Sequence, residues 1–112
     1  MKIKHLLIIW VFAISLVQPV WGAKTIGVTD CGVWMNRKKT DWDKLAANIW
    51  LNGYMSGLSV LHELHGYKDN PLGKVTSAEQ VHLWMDNYCQ KNPLSDVSDG
   101  GDALFIELMK RK

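Results

Sequence analysis

At 112 residues the chain is long enough for one domain and no more. Its 13 basic and 11 acidic residues leave a formal charge of +2 with no basic stripe, which argues against a nucleic-acid partner. No segment alternates in the way a half-buried strand requires, so the composition and its periodicity point to an all-α chain.

The first element has the order of a secretory signal peptide. Lys2 and Lys4 form a basic start, Leu6 to Val17 is apolar, and Val20 and Gly22 stand at −3 and −1 of a cleavage site. The apolar run is well short of the about 20 residues needed to span a bilayer. Residues 1–22 are therefore expected to be removed, leaving a single domain over 23–112 with no membrane attachment. Removal takes Lys2 and Lys4 and no acid, so 11 basic residues face 11 acidic ones. A domain of that size buries about 60–65% of its unfolded surface, a thin core.

Ala23 to Thr29 has no period and reads as a mobile leader. Asp30 to Lys39 reads as a short helix capped by Thr29 or Asp30, with Val33 and Trp34 inward and the Arg37–Lys39 charges solvated at its end. The long element runs from about Thr40 to His65, with Thr40 or Asp41 as N-cap and Gly66 as stop. At 100° per residue Trp42, Ala46, Ile49, Gly53, Gly57, Val60 and Leu64 share one arc. Gly53 and Gly57 each cost about 0.8–1 kcal/mol against Ala inside a helix. This arc is therefore expected to be a close-packed seam where another helix or a symmetry mate crosses, with Trp50 packing at its edge. A second strip, Ala47, Leu51, Tyr54 and Leu58, lies nearly opposite, and a homodimer is the expected way to cover it. Trp42 is assigned to the core together with Trp84.

Gly66 to Val75 has Asn-Pro, two glycines and no period, and reads as a loop. A helix then starts at Thr76 or Ser77, each with a capping residue three positions on, and puts Val81, Trp84, Met85, Tyr88 and Cys89 on one face. Asn92-Pro93 ends it. Leu94 to Gly101 reads as an acidic turn, and a last helix from about Ser98 or Asp102 to Met109 presents Leu104, Phe105, Leu108 and Met109. The fold class is a small all-α bundle of three or four helices.

Cys31 and Cys89 are the two cysteines of an exported chain, and one intramolecular disulfide is the economical reading; free thiols or an intermolecular bridge are the alternatives. No catalytic constellation stands out. His62 and His65 are three residues apart, where a zincin helix needs four, and no G-x-S-x-G elbow or phosphate-cradling glycine loop is present. The turn from Asp96 to Asp102 lacks the spacing and terminal Glu of an EF-hand. The chain reads as a binding module without cofactor or metal rather than an enzyme.

Three blocks, Cys31-Gly with a nearby Trp, W-L-x-G-Y-x-S-G-L over Trp50–Leu58, and N-Y-C-x-x-N-P-L over Asn87–Leu94, occur in order ahead of a short terminal helix. Their combination resembles the Rap/Tai family of periplasmic immunity proteins, which protect bacteria against peptidoglycan amidases delivered by type VI secretion. The resemblance implies an HdeA-like helical fold, a structural disulfide at Cys31 and Cys89, a homodimer, and inhibition of a cysteine-histidine amidase by a loop that occludes its cleft. The expected partner is thus a protein, the cognate amidase, in the periplasm. The loop with Tyr67, Lys68, Asp69 and Asn70 at its tip is the first candidate for that contact, and the acidic turn with Asp96, Ser98 and Asp99 the second. An HdeA-like acid-stress chaperone, or an orphan periplasmic binder on the same scaffold, is the alternative.

Overall fold

The structure is a computed structural model and describes residues 25–112; the signal peptide expected over 1–22, with Trp10 and Trp21, lies outside the described residues. Four α-helices follow in order: α1 (Cys31–Asn36), α2 (Asp41–Leu64), α3 (Ala78–Lys91) and α4 (Val97–Lys110). Short 3-10 turns at Arg37–Lys39 and Pro71–Lys74 precede α2 and α3. Among the described residues there is no strand, only a single antiparallel bridge between Asp30 and Asp96.

The helix starts follow from local chemistry. Asp30 accepts from the backbone N–H of Val33 at 2.8 Å, Thr40 from Asp43 at 3.0 Å and Ser77 from Gln80 at 3.4 Å, so each side chain satisfies a donor that has no partner within its helix. Gly66 stops α2 with φ +83, a backbone conformation that glycine adopts without cost, while its N–H reaches the Glu63 carbonyl at 2.9 Å.

The core is one cluster built from all four helices: Cys31 and Trp34 of α1, Ala47, Leu51 and Met55 of α2, Val81, Met85 and Cys89 of α3, and Leu104, Phe105 and Leu108 of α4 with Val97. Cys31 and Cys89 are disulfide-bonded, with Cα atoms 5.0 Å apart across 58 residues of sequence, so α1 is stapled to the far end of α3.

Several sequence expectations are revised. The face of α2 that meets the core is the one carrying Ala47, Leu51 and Met55, and Trp42, Ile49, Val60 and Leu64 on the wider arc are exposed. Among the described residues no neighbour lies within 4 Å of a Cβ placed on Gly53 or Gly57, so none of the described helices crosses there. The reason is apolar area: two glycines in the middle of the wider arc contribute no side chain, whereas Leu51, Met55 and Leu58 fill volume between the other helices. Trp42 is accordingly not core, and Val33 is exposed while Trp34 is fully buried. The Gly100-Gly101 pair belongs to the first turns of α4, not to a turn before it.

Close approach does occur at those two glycines. A Cβ on Gly100 would lie 2.7 Å from Tyr88 Cδ1 and 2.5 Å from Met85 Sδ, and one on Gly101 would lie 2.8 Å from Tyr54 Cδ1. The start of α4 therefore rests directly on α2 and α3. Asp96 and Asp99 close it with a capping box, the Asp96 N–H donating to Asp99 Oδ2 at 3.3 Å. The leader is tied down as well, because Thr29 accepts from the Val97 N–H at 2.8 Å and Ile26 from Trp50 Nε1 at 3.0 Å.

Candidate functional site

Arg37 was expected among solvated charges but is buried, and it organises a polar cluster between α1, α2 and α3. Its guanidinium lies 3.9 Å from the centre of the Trp34 ring and donates to Asp86 Oδ1 at 2.8 Å, to the Trp34 carbonyl at 3.0 Å and to Asn48 Oδ1 at 3.1 Å. Trp34 Nε1 donates to the same Asp86 oxygen at 2.9 Å. Beside it His82 Nε2 sits 2.8 Å from Asn52 Oδ1, and burial, with Arg37 second, holds the imidazole below its usual pKa range. Among the described residues no buried side-chain polar atom lacks a hydrogen-bond partner, so the cluster clamps the bundle. No sequence pattern marks it, because its members come from three helices.

The loop after α2 is the first surface candidate. Tyr67, Lys68 and Asp69 are exposed at its tip. Tyr67 stacks on His62 with ring centres 4.6 Å apart, His62 in turn meets Phe105 edge-on at 5.5 Å, and His62 Nε2 lies 3.0 Å from the Asp69 carbonyl. The loop thus reaches the core through one imidazole. Asn70 is not part of the free tip. Its amide donates to Glu63 Oε1 at 2.9 Å and to Ser59 Oγ, and its carbonyl oxygen accepts from the Leu72 N–H at 3.0 Å. It anchors the loop to α2, a role that Asn before a Pro-started 3-10 turn makes plausible from sequence.

Behind the tip an open groove of about 940 Å³ runs to the end of α4, lined by Tyr67, Lys68, Asp69, Lys74, Met109 and Arg111. Lys74 Nζ donates to the Leu108 carbonyl at 2.8 Å and to that of Arg111, closing the last carbonyls of α4. Arg111 pairs with Glu107 at 2.7 Å, and that bond, followed by the one from Trp84 Nε1, holds the Glu107 carboxyl below its usual range. Lys68, Lys110, Arg111 and Lys112 make this end of the molecule basic.

The second candidate, Asp96, Ser98 and Asp99, begins α4 at its other end. Since α4 spans 14 residues, about 20 Å of helix separates the two patches. They are two surfaces, not one site. Asp96 and Asp99 cap the helix, the neighbouring Asp102 accepts from the Tyr54 hydroxyl at 2.6 Å, and burial, then that bond, raises the Tyr54 phenol well above its usual range. Ser98 is half-buried. Trp50 stacks on Tyr54 with ring centres 5.3 Å apart and holds the leader, so it is packed rather than a free anchor.

Among the described residues no group of three or more His, Cys, Asp or Glu is placed to hold a metal, and no helix is long and apolar enough to cross a membrane. The disulfide suits an oxidising compartment. Compared with family models, with characterised proteins and with solved structures, the chain has no significant match.

Proposed function

We propose that this protein is a periplasmic immunity protein that inhibits a type VI secretion peptidoglycan amidase by seating the Tyr67–Asp69 tip in the enzyme's cleft. The observation that carries the reading is the bracing of that tip. An exposed aromatic followed by a cation and an anion stands on a backbone held by His62 and Asn70, so little ordering entropy remains to be lost on binding. Tyrosine at the centre of a small rigid projection is the residue type that dominates protein–protein affinity. The ordered motif blocks around Trp50–Leu58 and Asn87–Leu94 support the family and hence the target class, and the disulfide-stapled bundle supports an exported protein.

The test is inhibition of a type VI secretion peptidoglycan amidase, sought first in the gene adjacent to this one. Tyr67→Ala together with Lys68→Ala leaves Asn70 and the Asp69 carbonyl in place, and should weaken inhibition by about 30-fold or more, the range of an interface hot spot. Inhibition unchanged by the double variant would transfer the contact to another surface. The open apolar face of α2 favours the chaperone alternative to a limited extent, since a chaperone needs exposed apolar area; protection of an aggregating client at strongly acidic pH by the purified protein would support that second reading.

A further inference from the structure

A second groove, of about 310 Å³, lies where the 3-10 turn at Pro71–Lys74 meets α3 and α4. Val75, Leu83, Trp84, Leu104 and Leu108 make its walls apolar, and Leu83 is 63% exposed and stands outside the core cluster. Lys74 and Arg111 line the end of the groove at the last turn of α4. That volume is at the bottom of the range for small-molecule sites, about 300–1,000 Å³, so the groove suits one apolar side chain rather than a whole small ligand. Two donors of its wall converge on one carboxylate: Trp84 Nε1 reaches Glu107 Oε2 and Arg111 Nη2 reaches Glu107 Oε1, both at 2.7 Å. Arg111 is 62% and Glu107 41% exposed, and an ion pair that open contributes little to the fold and exchanges readily. Lys74 is committed to the Leu108 and Arg111 carbonyls and adds only its field.

We propose that this groove docks an acidic polypeptide segment, a carboxylate of which takes the place of Glu107 on Arg111 while a neighbouring apolar side chain lies against Leu83 and Trp84. Glu107 is then the internal stand-in for the partner's carboxylate, held by the same two donors that would receive it. Charge selects the partner. Lys110 and Lys112 are exposed on either side of Arg111 in the chain, so with Lys74 they surround the exchangeable pair with positive charge. A basic segment is repelled there, and an uncharged one leaves Arg111 on Glu107. The guanidinium fork offers five N–H donors, of which the bond to Glu107 uses one nitrogen, so a second carboxylate can be seated by rotation of an exposed side chain without disturbing α4. The apolar wall supplies what charge alone does not, a pocket that fixes the register of the bound segment.

Tyr67 lies outside this groove, so the site stands or falls independently of the amidase reading. Two-dimensional NMR of the isotope-labelled protein reads the indole N–H of Trp84 directly. A short synthetic peptide of alternating Glu and Leu should move that signal saturably and leave the indole N–H of Trp42, on the open face of α2, in place. Arg111→Gln should weaken binding by about tenfold or more. Glu107→Gln keeps an acceptor for Trp84 and removes the competing charge, so it should tighten binding by about two- to fivefold, the span of an exposed ion pair. Neither side chain belongs to the core, and both variants should melt near the parent's temperature. Peptides with Gln in place of Glu, or Ser in place of Leu, should bind about tenfold more weakly or worse. A Trp84 signal that does not move overturns the proposal, as does equal binding of either control peptide, parent-like affinity in Arg111→Gln, weaker binding in Glu107→Gln, or a shift at Trp42 in place of Trp84, which would give the segment to the open face of α2.

Discussion

Four glycines separate by what surrounds them, and the separation is measurable. Gly101 faces a Tyr54 ring that is pinned between Trp50 and Asp102, so an added methyl has nowhere to go. Gly101→Ala should gain about 1 kcal/mol of helix propensity and lose more than that to overpacking, a net destabilisation of about 1 kcal/mol in urea unfolding. Gly57→Ala meets nothing within 4 Å among the described residues and should raise stability by up to about 1 kcal/mol in urea unfolding. Glycine spacing alone singled out Gly53 and Gly57 and passed over Gly100 and Gly101, the tight contacts among the described residues, since a sequence shows where a side chain is missing and not what stands opposite. His82 gives the pH dependence. Burial and Arg37 outweigh Glu79 and Asp86 and lower its folded pKa, so below the unfolded value of about 6.5 the unfolded chain binds more protons than the native one. Stability contributed at neutral pH is therefore lost as pH falls through about 6.5 and below. Denaturation midpoints taken from pH 8 to pH 5 should fall for the parent and fall less for His82→Gln.

The elements themselves were largely legible. Thr40, Ser77 and Gly66 mark the ends of α2 and α3 because a cap works through the residue's own side chain or its freedom at positive φ, both local properties. The start of α4 was left open between Ser98 and Asp102, and the helix begins at Val97, next to the earlier choice; Gly100 and Gly101 look like a turn until Tyr54, Met85 and Tyr88 are known to require the space. The face of α2 was misassigned for a related reason: angular position ranks the apolar arc but cannot count the volume that Met55 fills on the narrower one. The staple between α1 and α3 matters most at this scale. A bridge across 58 residues contributes about 4 kcal/mol by restricting the unfolded chain, so reduction, or Cys31→Ser with Cys89→Ser, should lower the unfolding free energy by about that much. A loss under about 1 kcal/mol in urea titrations would mean that the unfolded chain is already compact.

As a whole the molecule has two charged poles. Lys68, Lys74, Lys110, Arg111 and Lys112 outnumber Asp69 and Glu107 at the loop end of the bundle, and Asp30, Asp96, Asp99 and Asp102 lie at the other. A partner docking on the Tyr67 tip meets a positive field, which speeds association with an acidic rim and weakens with salt. The two loops proposed from sequence as alternatives lie at opposite ends of α4, about 20 Å apart. By itself the sequence determined the helical class, the helix ends at Thr40, Gly66 and Ser77, the two cysteines available for a bridge and the loop that carries Tyr67. Each of these depends on neighbours in the chain or on there being one possible partner. Only the tertiary structure decided that Arg37 is buried, that Asn70 is an anchor, that Gly100 and Gly101 are the tight contacts and that the Gly53 face is open. Those facts depend on which surfaces of separate helices are brought together, and that is set by the volume and area the whole bundle can bury, a quantity no single segment carries.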